Sequence, residues 1–175
     1  MKKETIIQKK IIYNGKLFKL VKYEVEISGG KFTREIIEHP GAVVILPLKE
    51  DKKVVMIKQF RTAIGKKILE LPAGTLENDE NEHNCASREL QEETGYIANK
   101  IEKIFEFFVA PGYSNERISV FIATGLRIAG KKTEADESIE VIEIKLNEAI
   151  NMICNGSICD GKTITVLSYF QLMHK

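Results

Sequence analysis

The most informative segment of this 175-residue chain reads Gly74-Thr-Leu-Glu-Asn-Asp-Glu-Asn-Glu-His-Asn-Cys-Ala-Ser-Arg-Glu-Leu-Gln-Glu-Glu-Thr-Gly-Tyr96. Asp79 and Asn81 are candidate N-caps, and acidic residues crowd the positions after them, which suits the amino end of a helix. Gly95 suits the position that ends a helix. The segment therefore predicts a helix over residues 82–94, preceded by a turn.

Three carboxylates of this predicted helix share one face. Glu89, Glu92 and Glu93 stand at i, i+3 and i+4, and side chains at these spacings are neighbours on a helix. Like charges placed in this way weaken a helix by about 0.2–0.5 kcal/mol per pair. A divalent cation would reverse the repulsion, and Mg²⁺ prefers a few carboxylates together with substrate phosphates. The alternative is an acidic face that is only solvated.

The spacing of the fixed residues resembles the signature of the Nudix hydrolases. Glu80 follows Gly74 after residues 75–79, and Arg88-Glu-Leu-Gln-Glu-Glu-Thr-Gly follows after residues 81–87. Seven fixed positions, each filled by chance at about 6–7 %, would match roughly once in 10⁸ registers. Tyr96 departs mildly from the aliphatic residue that is usual there. The resemblance implies an α/β/α sandwich with the segment at the edge of a mixed sheet.

Composition and charge indicate a soluble globular protein. Hydrophobic residues make up 43 % of the chain and charged residues 29 %. A net charge of +1 argues against a general nucleic-acid or acidic-membrane binder. No apolar run approaches a membrane span, and Met1–Thr5 leads into no signal core, so we expect a cytoplasmic protein. The cysteines, at positions 85, 154 and 159, are expected to be reduced.

Strand patterns outnumber helical ones, which predicts an α/β or α+β layered fold with a mixed sheet. Leu17–Ile27 alternates, Ser28-Gly29-Gly30 predicts a hairpin, and Ala42–Leu48 is a buried-strand run. Later strands are expected at 54–60, 68–71, 100–109, 117–126 and 139–144, and helices at 147–155 and 162–173. Asp160 is a candidate cap for the last helix. The inner face of the last helix is expected to carry Ile164, Leu167, Phe170 and Gln171.

The chain is expected to have two parts. Residues 1–38 form an N-terminal antiparallel β-rich subdomain, and residues 39–175 form the Nudix domain. The resemblance also implies a homodimer in which the N-terminal strands are exchanged between subunits. Neither a nucleic acid nor a membrane is expected as a partner.

The resemblance assigns roles to the carboxylate face. Glu89 and Glu93 would be the principal ligands of Mg²⁺, with Mn²⁺ as an alternative ion. Glu92 would assist, and the carbonyl of Ala73 would complete the shell. Arg88 would pair with one carboxylate and fix its rotamer.

Three further acids are candidates for supporting or catalytic roles. Glu80 either orders the loop before the helix or is only an acid near the helix amino end. A general base is needed beyond the metal ligands. The polar segment 133–140 is its expected source, since Glu137 matches the catalytic glutamate of ADP-ribose pyrophosphatases best and Glu140 is the alternative. The segment could also be an ordinary solvated loop.

Other segments resemble the ADP-ribose pyrophosphatase branch of the family. They are Arg34–Gly41, Gln59-Phe60-Arg61 and Pro111–Glu116, the last beginning sixteen residues after Gly95. Arginine suits diphosphates because its planar fork donates hydrogen bonds in pairs. The candidate substrate-binding residues are Arg34, Arg61, Glu70, Tyr113 and Glu116. Each arginine taken alone could equally be a surface residue at a strand end, and Tyr113 could simply pack its loop.

The expected reaction is hydrolysis of the pyrophosphate bond of a nucleoside diphosphate linked to another moiety. ADP-ribose, giving AMP and ribose 5-phosphate, is the foremost substrate, and other nucleotide sugars, dinucleotides and oxidised nucleotides stay open. A module that senses such nucleotides without cleaving them is the alternative of a different class. The presence of all three motif glutamates favours the enzyme.

Overall fold

The structure, a computed structural model, describes residues 3–130 and 139–174. Its strands are β1 (Thr5–Asn14), β2 (Lys19–Ile27), β3 (Gly30–Glu38), β4 (Ala42–Pro47), β5 (Lys53–Arg61), β6 (Lys66–Glu70), β7 (Ala73–Thr75), β8 (Tyr96–Phe108), β9 (Arg117–Ile128) and β10 (Glu140–Lys145). Its α-helices are α1 (Glu82–Thr94), α2 (Leu146–Cys154) and α3 (Gly161–Met173). The predicted α+β class is confirmed.

The chain divides into two compact units. One consists of Met1–Ala42 together with Glu106–Ile118. The other consists of Val43–Phe105 together with Ser119–Lys175. The motif segment lies in the second unit.

The first unit contains the antiparallel sheet β1-β2-β3. Ser28 (φ 53°) and Gly29 (φ 83°) form the two-residue turn between Ile27 and Gly30, which is the geometry that a twisted hairpin favours. The predicted hairpin is therefore confirmed. Val21 and Val25 of β2 are buried, whereas all ten residues of the edge strand β1 are exposed.

The second unit contains the antiparallel sheet β10-β5-β6, and the four-stranded sheet β7-β4-β9-β8 contributes to its core. Helix α1 packs on strands β4 and β9 of the four-stranded sheet. The buried residues of this contact are Val43, Ile45, Cys85, Ala86, Leu90, Phe121 and Ala123. Burial of this apolar side of α1 fixes the direction in which its acidic side chains point.

Helix α1 has the predicted bounds because its caps are encoded locally. The side chain of Asn81 accepts a hydrogen bond from the backbone N–H of Asn84 at 2.9 Å. Asp79, the other candidate cap, has a φ of 63° and belongs to the preceding turn. Gly95 adopts the left-handed conformation (φ 76°) and donates its N–H to the carbonyl of Gln91 at 2.9 Å, which ends the helix.

Helix α3 begins after the predicted cap, and the face that it buries overlaps the predicted one only in part. Asp160 accepts from the backbone N–H of Thr163 at 3.0 Å. The buried residues are Thr163, Val166, Leu167 and Phe170, while the predicted Ile164 and Gln171 are only half-buried. Leu167 and Phe170 are therefore buried as predicted, whereas Thr163 and Val166 were not among the predicted inner residues. The hydroxyl of Thr163 accepts from the buried N–H of Leu71 at 2.8 Å, which makes a polar residue part of the inner face.

Among the residues that the structure describes, no helix combines the length and the apolar character needed to cross a membrane.

Candidate active site

The backbone at Gly74 approaches the motif helix so closely that a side chain has no room. A Cβ added at Gly74 would stand 1.8 Å from Oε1 of Glu89 and 2.0 Å from its carboxyl carbon. Gly74 does not adopt a positive φ, so close approach, not backbone conformation, requires glycine at this position. The first glycine of the motif thus forms one wall of a cradle for the Glu89 carboxylate.

Glu93 is held by the residue before that glycine. Its side chain is almost completely buried, with 5 % of the residue exposed. One carboxylate oxygen accepts a hydrogen bond from the backbone N–H of Ala73 at 2.9 Å. Glu89 and Glu93 therefore both lie against the Ala73-Gly74 backbone, although they are fifteen or more residues away in sequence.

Arg88 contacts three carboxylates. Its Nε and Nη2 donate to the two oxygens of Glu80, each at 2.9 Å. Its Nη1 donates to Glu89 at 2.7 Å and to Glu92 at 3.0 Å. These hydrogen bonds, led by that to Glu80, raise the pKa of Arg88 above its usual range. The expectation that Arg88 pairs with a single carboxylate was too narrow, because one guanidinium has donors on several edges.

Glu80 orders the loop before the helix. Besides the fork from Arg88, it accepts a hydrogen bond from the backbone N–H of Glu77 at 3.2 Å. The hydrogen bonds from Arg88 lower the pKa of Glu80 to about 2, so it is charged throughout the neutral range. Of its two predicted roles, the structure supports the ordering of the loop.

The described residues contain no group of three or more His, Cys, Asp or Glu side chains that converges as a ready-made metal cluster. Arg88 binds both Glu89 and Glu92, and Glu93 is turned towards the N–H of Ala73. The side chains of Glu80, Glu89, Glu92 and Glu93 nevertheless offer carboxylate oxygens, which are the ligand type of hard divalent cations.

A second charged group lies at the ends of β5 and β6. The Glu70 side chain is fully buried, and its two oxygens accept from Nε of Arg61 at 2.6 Å and from Nη2 at 2.8 Å. Lys162 of α3 also donates to Glu70 and forms an ion pair with Asp160 at 2.9 Å. Burial raises the pKa of Glu70, but the hydrogen bonds from Arg61 and the charge of Lys162 outweigh it and the net pKa is lowered.

Comparison with known proteins identifies the family. The model described as the NUDIX domain matches residues 38–155. The chain belongs to the Nudix family. The predicted enzyme class, a Nudix hydrolase that acts on nucleoside diphosphate derivatives, is confirmed, and hydrolases of this family generally use divalent metal ions.

Two individual relatives are similar to this chain over most of its length. It is 41 % identical over 172 residues to the ADP-ribose pyrophosphatase of Bacillus subtilis (strain 168), an alignment that covers 97 % of this chain and 93 % of that protein. It is 40 % identical over 144 residues to the GDP-mannose pyrophosphatase of Escherichia coli O1:K1 / APEC, covering 77 % and 74 % of the two chains.

A solved structure described as an ADP compounds hydrolase superposes with a TM-score of 0.85 at 20 % identity. The superposition covers 98 % of this chain and 94 % of that one. At this identity the likeness concerns the fold, and it confirms the predicted Nudix-type α/β/α sandwich.

The residues predicted for metal binding come together around the Nudix helix, in the second unit. Among the predicted substrate-binding residues, Arg61 and Glu70 also belong to this unit. The expectation that Glu70 itself contacts a ligand is not supported, because its carboxylate is buried and serves as the partner of Arg61. Arg61 keeps 42 % of its side chain exposed.

The other substrate candidates belong to the first unit. Arg34 forms an exposed ion pair with Glu4 at 2.7 Å. Tyr113 is 57 % exposed, and its carbonyl accepts from the N–H of Ile37 at 2.8 Å, which ties its loop to the end of β3. Glu116 follows in the same loop, and its N–H donates to Oγ of Ser114 at 3.0 Å.

Of the two candidate bases, Glu137 lies outside the described residues. Glu140 is the first residue of β10, is exposed, and pairs across the sheet with Lys58.

Sequence reasoning missed Lys162, Asp160 and Thr163 as parts of this region. Asp160 was recognised only as a cap, and nothing local to Lys162 indicates a partner 92 residues earlier. Cys85 is a buried free thiol, and burial raises its pKa above the usual range. Cys154 and Cys159 are exposed free thiols.

Proposed function

We propose that this Nudix hydrolase cleaves the pyrophosphate bond of ADP-ribose to give AMP and ribose 5-phosphate. The observation that carries the proposal is the placement of Glu89 and Glu93 against the Ala73-Gly74 backbone, with Arg88 holding Glu89 and Glu92. The relative named ADP-ribose pyrophosphatase, which aligns over 97 % of this chain, supports the choice of substrate.

The cation we propose is Mg²⁺, with Mn²⁺ as a substitute. Its ligands would be the carboxylates of Glu89, Glu92 and Glu93 and the carbonyl of Ala73, an all-oxygen set that fits a hard ion. The cradle that Gly74 leaves for Glu89 supports this fit, since it holds one carboxylate against the residue that follows Ala73. A bound divalent ion would neutralise phosphate charge and lower the pKa of a water molecule.

The other residues of the motif would prepare this site. Arg88 would offset the repulsion between Glu89 and Glu92, which would otherwise destabilise the helix. Glu80 would fix Arg88 through the paired hydrogen bonds to its Nε and Nη2. We assign the general base to Glu137, with Glu140 as the alternative. The carboxylate of this base would accept the proton of the attacking water.

The proposed substrate contacts are Arg34, Arg61, Tyr113 and Glu116. Arg61 is supported best, because Glu70 fixes one edge of its guanidinium while much of the side chain stays exposed. A guanidinium held in this way can offer its outer N–H groups to a diphosphate oxygen. The role we give to Glu70 is to orient Arg61.

A nucleotide sugar such as GDP-mannose is the second candidate substrate. The 40 % identical relative named GDP-mannose pyrophosphatase supports it. The diphosphate chemistry would be the same, and only recognition of the base and sugar would differ. A sensing module without activity is disfavoured, because Arg88, Glu89, Glu92 and Glu93 are all present and mutually arranged.

We also propose that residues 1–38 form a dimerisation subdomain, that residues 39–175 form the hydrolase domain and that the protein is a homodimer. Strand β1 supports this proposal: it lies at a sheet edge and exposes 46–59 % of each of several large apolar residues, which are Ile6, Ile7, Ile11, Ile12 and Tyr13. Such an edge is suited to pairing with a second chain. Sedimentation should give twice the monomer mass, and a monomer at all concentrations would contradict the proposal.

A cytoplasmic location is part of the proposal, because the exposed thiols of Cys154 and Cys159 would stay reduced there. Cell fractionation tests it.

The function is tested with a panel of substrates that share the diphosphate but differ at its ends. ADP-ribose, GDP-mannose, ADP-glucose and a diadenosine polyphosphate are incubated with the protein in Mg²⁺ or Mn²⁺, and the products are separated by ion exchange. We expect the highest kcat/KM for ADP-ribose, with AMP as a product. Preference for GDP-mannose would support the second candidate, and no turnover of any compound would refute both.

A further inference from the structure

The carboxylate of Glu70 is fully buried. Its partners are the guanidinium of Arg61 and the ammonium of Lys162, and Lys162 in turn contacts Asp160. The four side chains form a balanced set of two cations and two anions. A buried carboxylate in such a set is stabilised only while its partners stay in place.

The Arg61 guanidinium is oriented from its inner side. Nε and Nη2 are used by Glu70 at 2.6 and 2.8 Å. When the side-chain amide of Gln59 is turned so that its oxygen faces Arg61, that oxygen accepts from Nη2 at 2.7 Å and from Nη1 at 3.3 Å. Nη1 has two N–H groups and is not used by Glu70, and 42 % of the Arg61 side chain is exposed.

The ammonium group of Lys162 is held in a fixed position. It is the second residue of α3, its side chain is 16 % exposed, and the residue before the helix, Asp160, is both the N-cap and its ion-pair partner. The capping carboxylate accepts from the backbone N–H and the hydroxyl of Thr163 at 3.0 and 2.6 Å. The ammonium group is therefore placed by the rigid first turn of the helix.

The same turn of α3 is bound to the backbone that follows Glu70. The hydroxyl of Thr163 accepts from the N–H of Leu71 at 2.8 Å. Helix α3 thus contacts Glu70 through Lys162 and the next residue through Thr163. These two contacts set the position of the Glu70 carboxylate relative to α3.

We propose that Lys162 is a positioning residue of the reaction: by sharing the buried carboxylate of Glu70 with Arg61, it holds the Arg61 guanidinium with Nη1 directed to the diphosphate of the substrate. The proposal rests on the proposed function, in which Arg61 contacts the substrate. Lys162 itself contacts neither the substrate nor the reacting atoms. Without it, Glu70 would have one cation instead of two and could follow Arg61 away from α3.

A double-mutant cycle between Arg61 and Lys162 tests this coupling. Lys162→Met keeps the length of the side chain but loses the charge, and Arg61→Gln removes the guanidinium. We expect KM to rise about tenfold in Lys162→Met and about 30-fold in Arg61→Gln, as for the loss of hydrogen bonds to a charged group, with kcat changed less than about threefold. The double variant should resemble Arg61→Gln within about twofold.

Binding is measured in the same four proteins without turnover, by calorimetry with ADP-ribose whose bridging oxygen is replaced by a methylene group. The dissociation constants should follow the KM values. Lys162→Arg should recover affinity to within about threefold of wild type, which a loss of stability alone would not explain. Lys49→Met, which removes an exposed ion pair with Glu143, is the matched control and should leave KM unchanged.

Additive effects, about 300-fold in the double variant, would overturn the proposal, since Lys162 would then act independently of Arg61. Unchanged binding in Lys162→Met would overturn it as well. If Lys162→Met does not fold, Lys162→Gln, which keeps a donor near Glu70, provides the same cycle. Unchanged binding in Arg61→Gln is a different failure, because it would remove the substrate role of Arg61 and with it that part of the proposed function.

Discussion

The backbone N–H of Ala73 donates to the carboxylate of Glu93 at 2.9 Å, across a separation of twenty residues. Because Glu93 is almost fully buried, this hydrogen bond fixes both the carboxylate and the backbone beside the first motif glycine. The proposed metal ligands therefore come from two segments that are joined by this hydrogen bond. Substitutions that preserve the hydrogen bond can separate the role of a ligand in metal binding from its role in stability.

Glu93→Gln is the first such substitution. The amide oxygen of glutamine can still accept from the N–H of Ala73, so we expect thermal stability within a few degrees of wild type. The charge is lost, and turnover should fall about 100-fold or more. Activity is measured by AMP release and stability by circular dichroism. Wild-type turnover in the folded variant would remove Glu93 from the metal site.

Gly74→Ala tests the cradle of Glu89. The new Cβ would stand 1.8 Å from Oε1 of Glu89, so the carboxylate or the backbone must move. A displacement of about 1 Å near reacting groups can cost about 100-fold in rate, and we expect a loss of about 10- to 100-fold in kcat/KM.

The control for this substitution is Glu89→Ala, which removes the atoms that the new Cβ meets. In that background Gly74→Ala should cause little further loss. A further loss as large as in the wild-type background would place the effect of the substitution elsewhere.

The Glu80–Arg88 pair predicts a pH dependence of stability. Arg88 lowers the pKa of Glu80 from 4.5 to about 2 in the folded protein. A carboxylate whose pKa is lowered by folding contributes stability that is complete above the unfolded value and is lost as the pH falls through the folded value. This contribution should therefore disappear between about pH 4.5 and pH 2.

The measurement is urea unfolding over that pH range for wild type, Glu80→Gln and the exposed control Glu50→Gln. Glu80→Gln should lower stability at neutral pH and show a shallower decline on acidification. A decline as steep as that of wild type would mean that Glu80 is not the group responsible.

Glu137→Gln and Glu140→Gln distinguish the two candidate bases. Removal of the base should lower kcat by about 100-fold or more, because general base catalysis contributes that much in many enzymes. Mn²⁺ binding, followed by the paramagnetic resonance signal of the free ion, should be nearly unchanged. Loss of Mn²⁺ binding in Glu137→Gln would instead make Glu137 a metal ligand.

The sequence predicts most of the local structure of this protein. Helix α1 has the expected bounds because Asn81 and Gly95 encode its two ends within a few residues. The turn at Ser28-Gly29 is equally local. Several features that depend on contacts between distant residues were not predicted.

Thr163 illustrates the limit. Its position on the inner face of α3 follows from a hydrogen bond to Leu71, 92 residues earlier, and a count of apolar residues cannot show this. The pairing of Lys162 with Glu70 spans the same distance in sequence. The contacts of Arg88 with three acids were predicted only in part, because the motif gives the residues of the site but not how one guanidinium divides its donors among them.

The contacts of residues 70–74 restrict insertions and deletions in this segment. Glu70 is bound by Lys162, Leu71 by Thr163, Pro72 accepts from Ile45 at 2.9 Å, Ala73 is bound by Glu93, and Gly74 lies against Glu89. One residue inserted or deleted here would put every later contact out of step with the earlier ones. Insertions and deletions should therefore be tolerated in most surface loops more readily than in this segment.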